Sequence, residues 1–97
     1  MTEVRDVIKN AAIETLLSVR DNAKVEMAEL REFADQIQLE FETGILSNDP
    51  QAVELLEART RALIELTRLT ALEQKREAVV ASILTAFRIT RTIVATL

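Results

Sequence analysis

The sequence predicts an all-α protein: two long antiparallel helices, a helical hairpin, which self-associates, most simply into a four-helix bundle. Three observations predict this fold. Hydrophobic residues make up 48% of the 97 residues, with one Gly and one Pro to interrupt helices. Apolar residues recur every three or four positions through both halves of the chain. The one cluster of turn-forming residues lies near the middle of the sequence.

The first predicted helix runs from about Glu3 to Thr43 without an internal Gly or Pro. Its apolar stripe comprises Val4, Ile8, Ala12, Leu16, Val19, Ala23, Met27, Leu30, Ala34, Ile37 and Phe41. Steps of three or four residues place side chains on one face of a helix. A continuous helix of this length would be about 60 Å long at 1.5 Å per residue.

The predicted turn occupies residues 44–49. Gly44 is placed to adopt a left-handed conformation and end the first helix. Ser47 and Asn48 continue the turn, and Asp49 is the expected N-cap of the second helix. Pro50 suits the first helical position, because its fixed φ is already helical. So short a connection makes the two helices antiparallel.

The second predicted helix spans about residues 50–97, which completes a single domain over residues 1–97. Its stripe comprises Leu55, Ala58, Ala62, Leu66, Leu69, Leu72, Val79, Ile83, Phe87, Thr90, Val94 and Leu97, and only Arg76 breaks it. Residues 87–97 also alternate as a β-strand would and are rich in β-branched residues. Helix is favoured there, because nothing after Gln51 supplies a turn.

Two helices hide only their facing stripes, and this chain carries a second apolar set away from those stripes. That set includes Ile13, Leu17, Val25, Leu39, Leu56, Leu63, Val80, Leu84, Ile89 and Ile93. Each such side chain left in water forgoes about 1.5–3 kcal/mol. A second copy is therefore expected to cover them, as a dimer or a higher oligomer. The expected interface lies in the carboxy-terminal segment and comprises Val79, Val80, Ile83, Leu84, Phe87 and Val94.

The residue types argue against an enzyme. There is no Cys and no His, so a thiolate nucleophile, the commonest general base and the commonest transition-metal ligand are missing. Carboxylates at helical spacing, such as Glu26 with Glu29 and Glu73 with Glu77, are better explained as a solvated face than as a metal site. No catalytic residue, cofactor or metal is predicted.

The net charge of −4 is unevenly distributed. Residues 1–50 hold 5 basic against 11 acidic residues, whereas residues 51–97 hold 7 against 5. An acidic total does not favour nucleic acid as a partner. Arg88 and Arg91 argue against a membrane-spanning helix at residues 78–97, so contact with a membrane surface stays open but is not favoured. These arginines are expected to meet acidic residues or the carboxyl terminus of a neighbouring copy.

The polar run at residues 73–77 interrupts the apolar second helix. In the hairpin it lies opposite residues 16–20, where Arg20 and Glu73 could pair in a layer that fixes register. An exposed arc of charges, with Arg76 reaching outward, explains the run equally well.

The sequence therefore favours a non-enzymatic structural or assembly protein that acts through self-association, with another protein as a second candidate partner. The alternative is a small adaptor or chaperone that shields an amphipathic helix of a client. No secretory signal opens the chain, so the expected location is the cytoplasm or a particle assembled there.

Overall fold

The computed structural model describes residues 2–47 and 49–97, and within them all regular structure is helical. The helices are α1 (Thr2–Ala23), α2 (Met27–Ser47), α3 (Ala52–Thr67), the short α4 (Thr70–Gln74) and α5 (Arg76–Ala95). The all-α prediction is confirmed. So is the choice of helix for the tail, since α5 continues to Ala95.

The prediction of two uninterrupted helices is wrong. The first is divided at residues 24–26 into α1 and α2, and the second is divided at residues 68–69 and again at Lys75. The molecule measures 37 × 23 × 18 Å, which is too short for helices of about 60 Å. Its radius of gyration of 12.7 Å is close to the roughly 13 Å of a compact 100-residue domain.

The break between α1 and α2 is a left-handed C-cap without glycine. Lys24 has a φ of 56°, and the Val25 amide donates a hydrogen bond to the Arg20 carbonyl at 3.2 Å. This six-residue closure belongs to the Schellman motif, in which an apolar residue folds back on the helix. Val25 is buried accordingly. The burial of Val25 and the packing of α2 against α1 offset a left-handed conformation that costs a non-glycine residue about 1–2 kcal/mol.

The break after α3 has the same character. Arg68 has a φ of 55°, and its amide donates a hydrogen bond to the Glu65 carbonyl at 3.4 Å. Leu69 is extended and donates its amide hydrogen to the Thr67 hydroxyl. The chain then makes α4, whose Leu72 is fully buried, and bends at Lys75 into α5.

The four longer helices enclose one core. Helix α1 packs against α2 and α5, and α3 packs against the same two helices, whereas α2 and α5 touch only slightly. One such contact joins the rings of Phe41 and Phe87, edge to face with centroids 5.4 Å apart. The largest fully buried side chains are Phe33, Phe41, Phe87, Ile8, Leu16, Leu30, Ile37, Ile64, Leu72 and Ile83. Most of them are residues of the two predicted stripes.

Gly44 does not end a helix. It lies within α2, which continues to Ser47, and it has no positive φ. A Cβ atom at this position would lie 2.8 Å from Cζ and 2.9 Å from Cε1 of Phe87. Glycine is therefore required so that α2 can approach the Phe87 ring, and the sequence pattern misidentified the reason for it.

Asp49 and Pro50 lie in the turn ahead of α3. The Asp49 carboxylate accepts a hydrogen bond from the Gln51 amide at 2.8 Å, and its carbonyl accepts one from Ala52 at 3.1 Å. The helix begins at Ala52, so Gln51 and not Asp49 is the N-cap, and Pro50 precedes the first helical position. Asp49 still stabilises the turn as an Asx motif. Asn48 lies outside the described residues.

Candidate interaction surfaces

The predicted interface residues are mostly internal to the chain. Val79, Val80, Ile83, Leu84 and Phe87 are each at most 8% exposed, and Val94 is half-buried. Dividing each long helix supplies α1 and α3 from the same chain to cover α5. Self-association stays a prediction, but any surface open to another copy of this folded chain consists of other residues.

Large apolar side chains nevertheless remain outside. Eight of them, between 37% and 75% exposed, are Ile13, Leu39, Leu46, Leu55, Leu66, Ile89, Ile93 and Leu97. Single exposed residues of this kind are ordinary on soluble proteins. Those on α2 and α5 are of more interest, because each group lies beside charges of one sign.

The outer surface of α5 combines aliphatic and basic side chains. We call Thr85, Arg88, Ile89, Thr92 and Ile93 the α5 face; Ile89 is 56% and Ile93 45% exposed. No acidic residue follows Glu77 in the sequence. This face therefore presents exposed aliphatic side chains under a positive local charge.

The acidic partners expected for the two arginines of this segment lie on a neighbouring copy, and that pairing stays a prediction. Within the described residues, neither Arg88 nor Arg91 forms an ion pair. The Arg91 guanidinium lies 6.0 Å from the centroid of the Phe87 ring, at the outer limit of a cation–π contact. Arg88 is exposed and available to a partner.

The outer surface of α2 has the opposite charge. We call Glu32, Asp35, Leu39, Glu42 and Leu46 the α2 face; Leu39 is 54% and Leu46 50% exposed. The helix carries five carboxylates against one arginine, a balance of −4, while α5 carries three arginines against one carboxylate, a balance of +2. Since α2 and α5 barely touch and each packs on both other long helices, the two faces point in opposite directions.

A shallow groove runs along the seam between α1 and α5. It encloses about 500 Å³ and is lined by Glu14, Thr15, Ser18, Ala81, Ser82, Thr85, Ala86 and Ile89. Its walls are small side chains with a single charge. The Thr15 hydroxyl is already used, because it donates a hydrogen bond to the Ala11 carbonyl at 2.7 Å.

The polar run at residues 73–77 joins helices of one chain. Arg61 of α3 makes a two-pronged ion pair with Glu77, and Arg76 approaches Glu65 at 3.6 Å. The hydrogen bond from Arg61 lowers the pKa of Glu77 and raises that of Arg61 itself. These groups are solvent-exposed, so the pair belongs to the weak, salt-sensitive class.

The expected pairing of Arg20 with Glu73 does not form. Arg20 pairs with its neighbour Asp21 at 3.1 Å. Instead, the Lys75 ammonium donates a hydrogen bond to the Asn22 carbonyl at 2.6 Å, near the end of α1. A cation suits this place, since the last carbonyls of a helix carry partial negative charge. The start of α5 is thereby tied to the end of α1.

One polar side chain of the core has no partner. The Thr60 hydroxyl is fully buried without a hydrogen bond, whereas Thr90 donates to the Ala86 carbonyl at 2.7 Å. Residues 2–47 and 49–97 contain no group of three side chains arranged to hold a metal ion.

Helix α5 is long and apolar enough, by length and composition, to cross a membrane; its most apolar window has a mean hydropathy of 1.6. A core helix of a compact protein meets the same criterion. In this chain Val79, Val80, Ile83 and Phe87 of α5 are all buried against other helices.

Sequence reasoning missed both left-handed residues, Lys24 and Arg68, because no Gly, Asn or Pro marks either break. It found Leu39 and Ile89 as members of the second apolar set, but it did not separate them into two faces of opposite charge. The difference between the acidic and basic halves of the sequence was the available signal. No protein-family model, curated protein or solved structure matches this chain.

Proposed function

We propose that this chain is a non-enzymatic structural protein that assembles with copies of itself, and that its four longer helices form a four-helix bundle. The observation that carries the proposal is the pair of outward faces. The acidic α2 face and the basic α5 face each expose aliphatic side chains at about half of their area. Its place of action is the cytoplasm, or a particle assembled there.

The two faces are complementary in chemistry and opposite in direction. When the α5 face of one copy lies on the α2 face of the next, Arg88 meets the carboxylates around Leu39. Each added copy still leaves one free face at either end, so the contact is heterologous and the assembly is open-ended. A partner of the same chain therefore suffices to build a filament or a layer.

The energies indicate an association that depends on concentration. Because each of these side chains is already about half buried, covering the rest of Leu39, Leu46, Ile89 and Ile93 would contribute about 0.8–1.5 kcal/mol each. Association costs about 4–15 kcal/mol in lost rotational and translational freedom. Apolar burial alone does not exceed this cost, so growth is expected to depend on the charge pairs and on a high local protein concentration.

Light scattering across protein and salt concentrations tests the proposal. The mean mass should rise with protein concentration and fall as salt screens the charges, because the Debye length is about 10 Å at 0.1 M. Arg88→Glu should abolish growth, and mixing it with Asp35→Arg should restore mixed assemblies. Leu55→Lys is the matched control, since Leu55 is a 46% exposed residue of α3 and belongs to neither face. A wild-type chain that stays monomeric up to millimolar concentration would refute self-assembly.

The second candidate function is an adaptor or chaperone that shields a client helix. The groove between α1 and α5 favours it, because small side chains such as Ala81 and Ala86 leave room for a helix to lie close. Native mass spectrometry of the complex isolated from its source separates the two functions. Complexes made only of this chain favour the structural role, while a stoichiometric second protein, displaced by Ala86→Trp, favours the client-binding role.

A further inference from the structure

Both left-handed breaks lie at the same end of the molecule. The hydrogen bond from Lys75 to Asn22 holds the end of α1 beside the start of α5. Lys24 therefore lies close to the α3–α5 connection that contains Arg68. The turn between α2 and α3 is at the other end. The chain thus joins the pair α1 and α5 to the pair α2 and α3 at one end of the molecule only. The first junction is residues 24–26, and the second is the connection at residues 68–75, which contains α4.

Neither junction has a sequence that opposes a helix. Residues 24–26 and the whole connection at residues 68–75, including the break at Lys75, contain no Gly or Pro, and Lys and Arg are good helix formers. The apolar spacing also continues through the first junction, from Val19 and Ala23 to Met27, in steps of four. Straightening these residues would relieve two unfavourable left-handed conformations and keep the stripe on one face.

We propose that the chain exchanges between this closed form and an open form in which both junctions become helical. The open chain is a hairpin of two long helices. Two open chains pair in an antiparallel manner, with their α2–α3 turns at opposite ends of the dimer. The α1 and α5 helices of each copy then cover α2 and α3 of the other copy. The partner is a second copy of this chain, and the side-chain contacts of the closed core are re-formed between copies, as in domain swapping.

The exchange divides the helix contacts into two classes. Contacts of α1 with α5 and of α2 with α3 stay within one chain in both forms. Contacts of α1 with α2 and of α3 with α5 are made within one chain in the closed form and between two chains in the open dimer. The ion pair of Arg59 with Glu40, at 3.1 Å, belongs to the first class, and the pair of Arg61 with Glu77 belongs to the second. Both pairs lie on the surface, where a crosslinker can reach them.

This exchange goes beyond the proposed function and does not depend on it. The α2 face and the α5 face point outward in both forms, so surface assembly and exchange can each occur without the other. The two processes differ in size and shape. Exchange stops at a dimer, and a continuous helix over residues 2–47 would be about 70 Å long at 1.5 Å per residue. The closed chain measures 37 Å along its longest axis.

Crosslinking tests the exchange directly, because the chain has no native cysteine. Arg61→Cys with Glu77→Cys places thiols across α3 and α5, and Arg59→Cys with Glu40→Cys places the matched control across α2 and α3. Each protein is unfolded, refolded at high concentration, and the dimer fraction is treated with a short bis-maleimide. The first pair should give covalent dimers on a denaturing gel, and the control should give crosslinked monomers.

Variants at the junctions test the cause. Lys24→Gly with Arg68→Gly should shift the equilibrium toward monomer, and Lys24→Ala with Arg68→Ala toward dimer. The expected difference is about tenfold per junction, because Gly favours the left-handed conformation and Ala the helix. Small-angle scattering of the Ala variant should show the longer particle.

Two outcomes would overturn the proposal. One is a dimer fraction in which the Arg61→Cys, Glu77→Cys pair crosslinks only within chains. The other is an equilibrium that responds equally to Gly and Ala at the junctions. Surface association without exchange would give the first outcome together with sensitivity to Arg88→Glu, so failure of this inference is distinct from failure of the proposed function.

Discussion

The two ends of this molecule turn the chain by different means. At one end, the Asp49 carboxylate and the Ser47 hydroxyl form hydrogen bonds with nearby backbone groups ahead of α3. Pro50, which follows Asp49, restricts the backbone there. At the other end, Lys24 and Arg68 adopt left-handed conformations without glycine. The first turn is specified by its own residues. The turns at the second end are stabilised by side chains that become buried when the helices fold back, such as Val25 and Leu72.

The comparison predicts different sensitivities. Removing the Asp49 side chain should lower stability, because the turn before α3 depends on its own residues. Removing the left-handed strain at Lys24 should raise stability, because helix packing causes the bend there. The variants below test this from the largest expected effect to the smallest.

Gly44→Val should have the largest effect, near the locally specified turn but for a reason of packing. Its Cβ would lie under 3 Å from the Phe87 ring, so α2 or the ring must move. Overpacking of this kind costs about 1–3 kcal/mol, and the two extra methyl groups place this case at the upper end. Urea unfolding measures the loss, with exposed Thr43→Val as the control. If Phe87→Leu does not recover stability in the Gly44→Val background, the ring is not the obstacle.

Asp49→Ala should cost about 1 kcal/mol, since the Gln51 amide loses its acceptor at the start of α3. The melting temperature of this variant is compared with that of Asp35→Ala, which removes an exposed carboxylate from the middle of α2. A loss confined to Asp49 supports local specification of the turn. Equal melting temperatures would mean that packing determines both ends.

Lys24→Gly should raise the free energy of unfolding by about 0.5–1 kcal/mol, measured at low protein concentration, where the closed form prevails. The gain comes from relief of the left-handed strain, reduced by the greater freedom of glycine in the unfolded chain. Asn22→Gly, two residues earlier in α1, is the control and should lose about 0.3 kcal/mol, because Gly is a slightly poorer helix former than Asn. A loss at both positions would show that Lys24 is not strained.

The pH dependence of the Arg61–Glu77 pair should be the smallest effect. The folded chain lowers the pKa of Glu77 from its ordinary value of 4.5, so the contribution is present above that pH and is lost as pH falls through the lowered value. The difference in thermal unfolding between wild type and Glu77→Gln should shrink as pH falls from 7, and at neutral pH it should vanish in high salt. A difference that keeps its full size in high salt would assign the effect to packing of the side chain instead.

The helical class and most of the core could be predicted from the sequence, because spacing alone places Ile8, Leu16, Ile37 and Ile83 on one face. The breaks could not. Whether the chain continues as a helix at Lys24 or turns back there depends on the apolar area that is buried between α1 and α2. No residue near Lys24 in the sequence indicates how large that buried area is. Local preference favoured the longer helix, and tertiary contact overrode it.

The interface itself stays a prediction, but its premise that one chain cannot cover these side chains failed for the same reason. Val80 and Leu84 were assigned to a second copy because two helices could not cover them, and four helices from one chain do. Gly44 shows a related limit, since one glycine can serve a turn or a close approach. The charge separation was readable in advance. Its two signs lie on α2 and α5, on either side of the molecule.

The contact between Phe87 and Gly44 also restricts the motion of the Phe87 ring. A Cβ atom at position 44 would overlap the edge of this ring, so the ring packs closely against α2 and needs added space to turn about its own axis. We expect a small separation of α5 from α2 to supply that space. The rate at which the two edges of the Phe87 ring exchange places should therefore report local opening between α2 and α5.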